Sequence, residues 1–285
     1  MFKSVQENLW AFDAEWVPDP AAGRLLYGLP PETPDAEVVA RMWTEGGATE
    51  EDPTPYLKTV LCRVVSIAAV QRRVRGRKTE LKLLWLPRDA SDPEQRSERA
   101  MIGTFLEAVG KHRPQLVGFN SVSADLKILV QRGVVNGIEA AAFCRRPDKP
   151  WEGPDYFSRS NEANIDLMDI LSSWGKGAVS LHEAATLSGI PGKVAVEGEQ
   201  VAALWLAGRT REIVQYNCFD ALTTYLLWLR MAHFAGFFSA GEYDEEQRLV
   251  HALIEEEGIK DGGEYLEAYA DAWQRLREAT GQPVL

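Results

Sequence analysis

The sequence predicts an α/β fold, a β-sheet flanked by α-helices. Three observations carry this. Apolar runs rich in branched residues at 9–16, 60–70, 80–86 and 115–119 read as strands. After them the apolar spacing is mostly that of helices. One of these, from residue 211 to about 235, is apolar around much of its circumference, which marks a helix buried between other layers. At 285 residues the chain is long enough for one large domain, or for a domain with an appendage.

The first strand reads Leu-Trp-Ala-Phe-Asp-Ala-Glu-Trp and carries Asp13 and Glu15. A strand alternates its faces with period two, so both carboxylates project to one side. Inside an apolar strand such a pair is costly through mutual repulsion and lost hydration. A bound divalent cation removes both penalties, and hard oxygen ligands suit Mg²⁺ or Mn²⁺. The alternative is a strand end with solvated acids. Residues 17–59 form a long excursion that holds seven of the 15 prolines, with one short amphipathic helix at 35–43 capped by Asp35. The strands at 60–70 and 80–86 pair through a turn with Gly76 near its tip. Five basic residues lie between Arg72 and Lys78. They suit phosphate contact, or equally a solvated tip that resists edge-to-edge pairing.

Residues 94–111 read as an amphipathic helix with Met101, Phe105, Leu106 and Val109 as its stripe. The strand at 116–119 runs into a helix that Ser121 or Ser123 can cap. Asp125 falls in the first turn of that helix, where the helix dipole alone also favours an acid. Residues 145–160 are a loop, and 164–171 a short strand into a helix. Further helices are expected at 181–188, ended by Gly189, and at 201–206, with a turn at 190–193 presenting Lys193 between them. Thr210 then caps the long buried helix. Tyr216 and Asp220 are four residues apart and share one face of it, about 40° apart. A charged Asp220 in a buried helix requires a partner or a metal.

The net charge is −11, and from Gly236 onward there are 12 acidic residues against 4 basic ones. The acidity therefore lies mainly in two helical stretches, 244–257 and 264–279, whose apolar spacing shows that they pack on something. That something is either the domain itself or a partner. The balance argues against a generic DNA-coating protein. No apolar run reaches the roughly 18 residues of a membrane span, and the N-terminus lacks a signal-peptide core. Cys62, Cys144 and Cys218 have no metal-ligand spacing and read as reduced residues of a cytoplasmic protein.

The four acids Asp13, Glu15, Asp125 and Asp220, in this order and with Tyr216 four residues before the last, resemble the DEDD superfamily of 3′–5′ exonucleases, in its tyrosine-bearing DEDDy branch. The motifs are Phe12-Asp13-Ala14-Glu15, Gly118-Phe119-Asn120 through Asp125, and Tyr216 through Asp220. A closer similarity is to the predicted exonucleases related to the proofreading domain of family B DNA polymerases. It rests on 165–171, on Ile190-Pro191-Gly192-Lys193 and on 216–230, and it covers roughly residues 8–240. The chain departs from the pattern at Ala124, where the motif usually has an aromatic. Gln215, five residues before Asp220, stands where the histidine branch has histidine.

The resemblance implies an RNase H-like mixed sheet flanked by helices, forming an exonuclease domain over 1–240 with 17–59 as an insertion. Residues 241–285 then form an acidic helical extension. It implies hydrolysis of the phosphodiester at the 3′ end of single-stranded nucleic acid, DNA being preferred, with release of nucleoside 5′-monophosphates. It further implies two Mg²⁺ or Mn²⁺ ions. Asp13 would bridge both, Glu15 and Asp220 would complete the nucleophile side, Asp125 would hold the second ion through water, and Tyr216 would orient the attacking water. Asn120 is the candidate contact to the terminal nucleotide, Lys193 and Arg159 are candidate phosphate contacts, and Asp166 is a candidate helix cap. A polymerase or repair protein is the candidate protein partner. The competing readings are an RNA-directed or small-nucleotide phosphohydrolase of the same fold, and a non-catalytic module that binds a polymerase or repair partner.

Overall fold

In the computed structural model, which describes residues 1–158, 161–172, 178–192, 194 and 200–281, five strands build one sheet. They are β1 (Asn8–Pro18), β2 (Cys62–Arg75), β3 (Lys78–Leu86), β4 (Gln115–Gly118) and β5 (Asn164–Asp166). The order is β3-β2-β1-β4-β5, so the acid-bearing strand is central. β1 to β3 pair antiparallel, whereas β4 and β5 join parallel to β1. The mixed sheet expected from the sequence is the one observed.

The alternation along β1 sorts the chain into two cores. Trp10, Phe12 and Ala14 face one side, with Trp16 packed against the same cluster. That side is covered by α1 (Pro20–Tyr27), α2 (Asp35–Glu45), α3 (Glu98–His112), α4 (Asp125–Val135) and α5 (Ala141–Cys144). Leu9 and Ala11 face the other side, and by the same alternation so do Asp13 and Glu15. There lie α6 (Leu167–Ser172), α7 (Leu181–Leu187), α8 (Val201–Leu206) and α9 (Thr210–Phe234). The final layer is α10 (Ala240–Gly258) and α11 (Tyr265–Ala279). The acidic tail thus packs on its own domain: Tyr243, Val250, Leu266, Tyr269 and Trp273 are buried in the same cluster as α9.

Several expectations about helix ends are corrected. The 17–59 excursion holds two helices, not one. Asp19 caps α1 through the Ala21 amide, and Gly23 lets α1 and α2 cross closely, because a Cβ there would sit 2.5 Å from Val38. Asp35 is the first residue of α2, not its cap, and its carboxylate pairs with Arg24 at 2.6 Å. Neither Ser121 nor Ser123 caps α4, since Ala124 holds the cap position. Ser121 is buried against Gly118, where any Cβ would meet its own at 2.4 Å. Thr210 opens α9 and Arg209 holds the cap position, closed by its pair with Glu212.

The basic hairpin between β2 and β3 stands at the end of the sheet remote from the acids. Arg73 is opposite Asn8, five residues along β1 from Asp13, or about 17 Å. Arg72 points inward and is neutralised. Its guanidinium pairs with Glu246 of α10 at 2.5 Å, and the Tyr225 hydroxyl donates to the same carboxylate at 2.8 Å.

Candidate active site

Asp13 and Glu15 leave β1 on its α9 face, just before a bulge at which the pairing with β2 skips one residue between Glu15 and Trp16. A bulge re-aims a strand and commonly lies beside a site. α9 crosses above them and contributes Tyr216, Asn217 and Asp220. Carboxylate oxygens of Asp13, Glu15 and Asp220 all lie within 4.8 Å of one another, each residue being half-buried. Asp125 approaches from the N-terminus of α4. It is buried, and its Oδ1 accepts the Ala14 amide at 3.0 Å, from the residue between the two β1 acids. Asp125 is therefore tied to β1 beside the three clustered carboxylates and is not itself one of that close set.

Burial and mutual repulsion dominate the electrostatics. Asp13 is held well above the usual carboxylate range by burial and by the charges of Asp125, Glu15 and Asp220. Glu15 is raised in the same way by burial, then by Asp220 and Asp125. Burial pushes Asp125 up to about 7, with Asp166 and Asp220 adding to it, against the opposing bonds from the Ala14 and Asp125 amides. Burial and the neighbouring Asp220, Glu15 and Asp13 raise the Tyr216 phenol, which keeps its proton. No lysine or arginine pairs with Asp13, Glu15 or Asp125 among the described residues. Three carboxylates crowded together, with Asp13 and Glu15 raised by burial and by repulsion, are a donor set that fits a hard divalent cation, which offsets both.

One residue that the sequence reading passed over sits at the centre of this geometry. Asn217 is fully buried, and its Nδ2 donates to Asp13 Oδ2 at 2.5 Å while its Oδ1 accepts the Ser66 hydroxyl at 2.9 Å. It locks the Asp13 carboxylate to α9 and β2. The available signal was its position three residues before Asp220, hence on the same helix face.

Asn120, at the end of β4, adopts a left-handed conformation with φ 61°. Asp166 holds it there, accepting the amides of Asn120 and Val122, each at 2.9 Å. Asp166 also accepts the Met168 amide at 3.1 Å, so it caps α6 as expected and braces the β4–α4 turn as well. Trp16 faces away from the acids, into the opposite core. Lys193 and Arg159 lie outside the described residues.

A family described as predicted 3′–5′ exonucleases related to the exonuclease domain of PolB matches residues 54–273, well over half of the chain. The chain belongs to this family. The matched stretch takes in Asp125, Tyr216 and Asp220 and reaches into α11; β1, with Asp13 and Glu15, precedes it. Among solved structures, the chain resembles a family B DNA polymerase from the hyperthermophilic archaeon Pyrobaculum calidifontis. The TM-score is 0.50 at 18% identity, over 81% of this chain and 25% of that one. At this identity the likeness concerns the fold, which is that of a polymerase exonuclease domain, RNase H-like. The chain spans about a quarter of that polymerase's length. No curated protein matches it.

Proposed function

We propose that the chain is a metal-dependent 3′–5′ exonuclease that removes nucleoside 5′-monophosphates from the 3′ end of single-stranded DNA. The observation that carries this reading is the convergence of Asp13, Glu15 and Asp220 within 4.8 Å, with Tyr216 one turn before Asp220 on the same helix.

In this reading Asp13, Glu15 and Asp220, together with Asp125, would hold two divalent ions, Mg²⁺ or Mn²⁺. Bound divalent ions supply an activated water and neutralise charge on the leaving oxygen. The residues of the chain do the rest. Asn217 fixes the Asp13 carboxylate, and the Ala14 amide fixes that of Asp125. Tyr216 keeps its proton next to Asp220 and so orients a water by hydrogen bonding without acting as a base. Asn120, held in its turn by Asp166, meets the terminal nucleotide, and Lys193 is a phosphate contact.

The test uses a 5′-labelled single-stranded DNA oligomer with Mg²⁺ or Mn²⁺. The expected result is a ladder that shortens from the 3′ end, vanishes with chelator and is absent for Asp13→Ala. A matched RNA strand reads the sugar preference. An undiminished ladder from Asp13→Ala would remove the carboxylate cluster from the chemistry.

A further inference from the structure

On the other side of the first turns of α9 from the acids, the segment after β3, the α8–α9 junction and the turn between α10 and α11 enclose a groove of about 700 Å³. Arg88, Arg96, Arg209 and Arg211 line it, opposed by Asp89 and Asp261. Asp89 is engaged in its own turn, accepting the amide and hydroxyl of Ser91. Arg96 also lines an adjoining pocket of about 260 Å³, together with Arg63 and Trp205. Two of the guanidiniums rest on indoles: Arg88 is 3.8 Å from the Trp85 ring centre and Arg63 is 5.4 Å from that of Trp205.

Among the described residues, Arg209 is the one arginine of these five with a carboxylate partner, Glu212 at 2.5 Å. The Nε of Arg63 is buried without an acceptor. In a chain of net charge −11 carboxylates are abundant, so three guanidiniums without a carboxylate partner around one groove, and a fourth, Arg63, in the pocket adjoining it, are not explained by a shortage of partners. Like charges held together repel, and a fork of N–H donors matches phosphate oxygens. Stacking on tryptophan removes side-chain freedom that binding would otherwise have to remove. One phosphate cannot satisfy arginines spread over two adjoining pockets, whereas a chain of phosphates can.

The location relates the groove to the acids. Trp85 is opposite Ala68, which is opposite Asp13, so the three share one rung of the sheet. Two strand spacings separate Trp85 from Asp13, about 10 Å. Gln215, which lines the groove, immediately precedes Tyr216.

We infer that this arginine groove binds the phosphodiester backbone of a single strand, on the 5′ side of the nucleotide being removed. This deepens the exonuclease reading and rests on it, because the 3′ end must occupy the acid cluster while the rest of the strand leads away. The groove would make turnover depend on strand length.

The test compares the wild-type chain with Arg96→Ala/Arg211→Ala, both positions being exposed, and with Arg96→Lys/Arg211→Lys. Binding of a fluorescent 20-nucleotide DNA strand is read by anisotropy in chelator, so that no hydrolysis is needed. The alanine pair is expected to bind roughly tenfold more weakly, with the slope of log K against log salt reduced by about 1.4. The lysine pair is expected to keep most of the affinity. In Mg²⁺ or Mn²⁺, KM for the 20-mer should rise while turnover of a trinucleotide stays unchanged. Unchanged affinity and salt slope in a folded alanine pair would overturn the assignment. So would an equal loss on the 20-mer and the trinucleotide, or displacement of the strand by polyglutamate as effective as by unlabelled DNA. Failure of the exonuclease reading would appear separately, as no cleavage by the wild type of either substrate.

Discussion

The Asp13 carboxylate is crowded by Glu15 and Asp220 and held by Asn217. Removing the holder should therefore matter almost as much as removing a ligand. Asn217→Ala is expected to lower metal affinity and activity about 10–100-fold, with far-ultraviolet circular dichroism unchanged; metal titration and kinetics on the same preparation check this. The acids also set a pH dependence in the metal-free chain. The carboxyl of Asp125, at about 7 in the folded state against 3.8 for an unperturbed aspartate, binds its proton more tightly when folded. That group stabilises the fold at low pH and loses this contribution as pH rises from about 4 through 7. Asp13 and Glu15, raised as well, act in the same direction. In chelator the melting temperature should fall across this window. The gain on adding Mg²⁺ should be larger at pH 8 than at pH 5.5, and differential scanning calorimetry at the two pH values reads both. A gain independent of pH would mean that these carboxylates are not the ligands.

At the scale of the element, the β4–α4 turn shows how a buried acid outside the cluster shapes the site. Asp166 accepts two amides from that turn and one from α6. Asp166→Ala removes the acceptor from three partly exposed amides, at about 0.5–1.5 kcal/mol for each hydrogen bond, and should lower activity through the misplaced Asp125; urea unfolding alongside turnover measures both. The strands were legible in the sequence because β-branched runs and period-two alternation are strong local signals, and β1 in particular reads directly as Trp10, Phe12, Ala14 against Ala11, Asp13, Glu15. The helix starts were less legible. Ser121, Ser123, Asp35 and Thr210 all have capping side chains, yet none caps, because tertiary partners decide where those side chains go: Ser121 fills the space beside Gly118 and Asp35 pairs with Arg24. Helix α1 was missed because Gly23 weakens its local signal, while its reason to exist is the close crossing with α2.

At the scale of the whole molecule, two buried charge networks bind distant parts of the chain. Arg132 joins Glu98 and Asp19, at 2.7 and 2.6 Å, and so ties the start of the proline-rich excursion to α3 and α4. Arg72 joins Glu246 and ties the hairpin to the acidic tail. Glu246→Ala would leave Arg72 buried and uncompensated and should cost about 3–5 kcal/mol, seen as a lower urea midpoint. Tyr225→Phe, which removes one bond to the same carboxylate, should cost about 1 kcal/mol. Neither network was visible in the sequence, since each joins residues more than 30 positions apart by geometry alone. The four acids and Tyr216 were visible because their residue types, order and element positions together form a pattern. Asn217 was not, because a buried amide has no such signature until its partners are placed.

In the exonuclease reading, the carboxylate cluster removes nucleotides one at a time from a 3′ end. The most direct test is the identity of the first product released from a single-stranded DNA labelled on its 3′-terminal nucleotide, in Mg²⁺ or Mn²⁺. The expected product is a labelled nucleoside 5′-monophosphate at the earliest times, abolished by chelator and by Asp220→Asn. Labelled fragments of several nucleotides appearing first, or release that persists in Asp220→Asn, would contradict it.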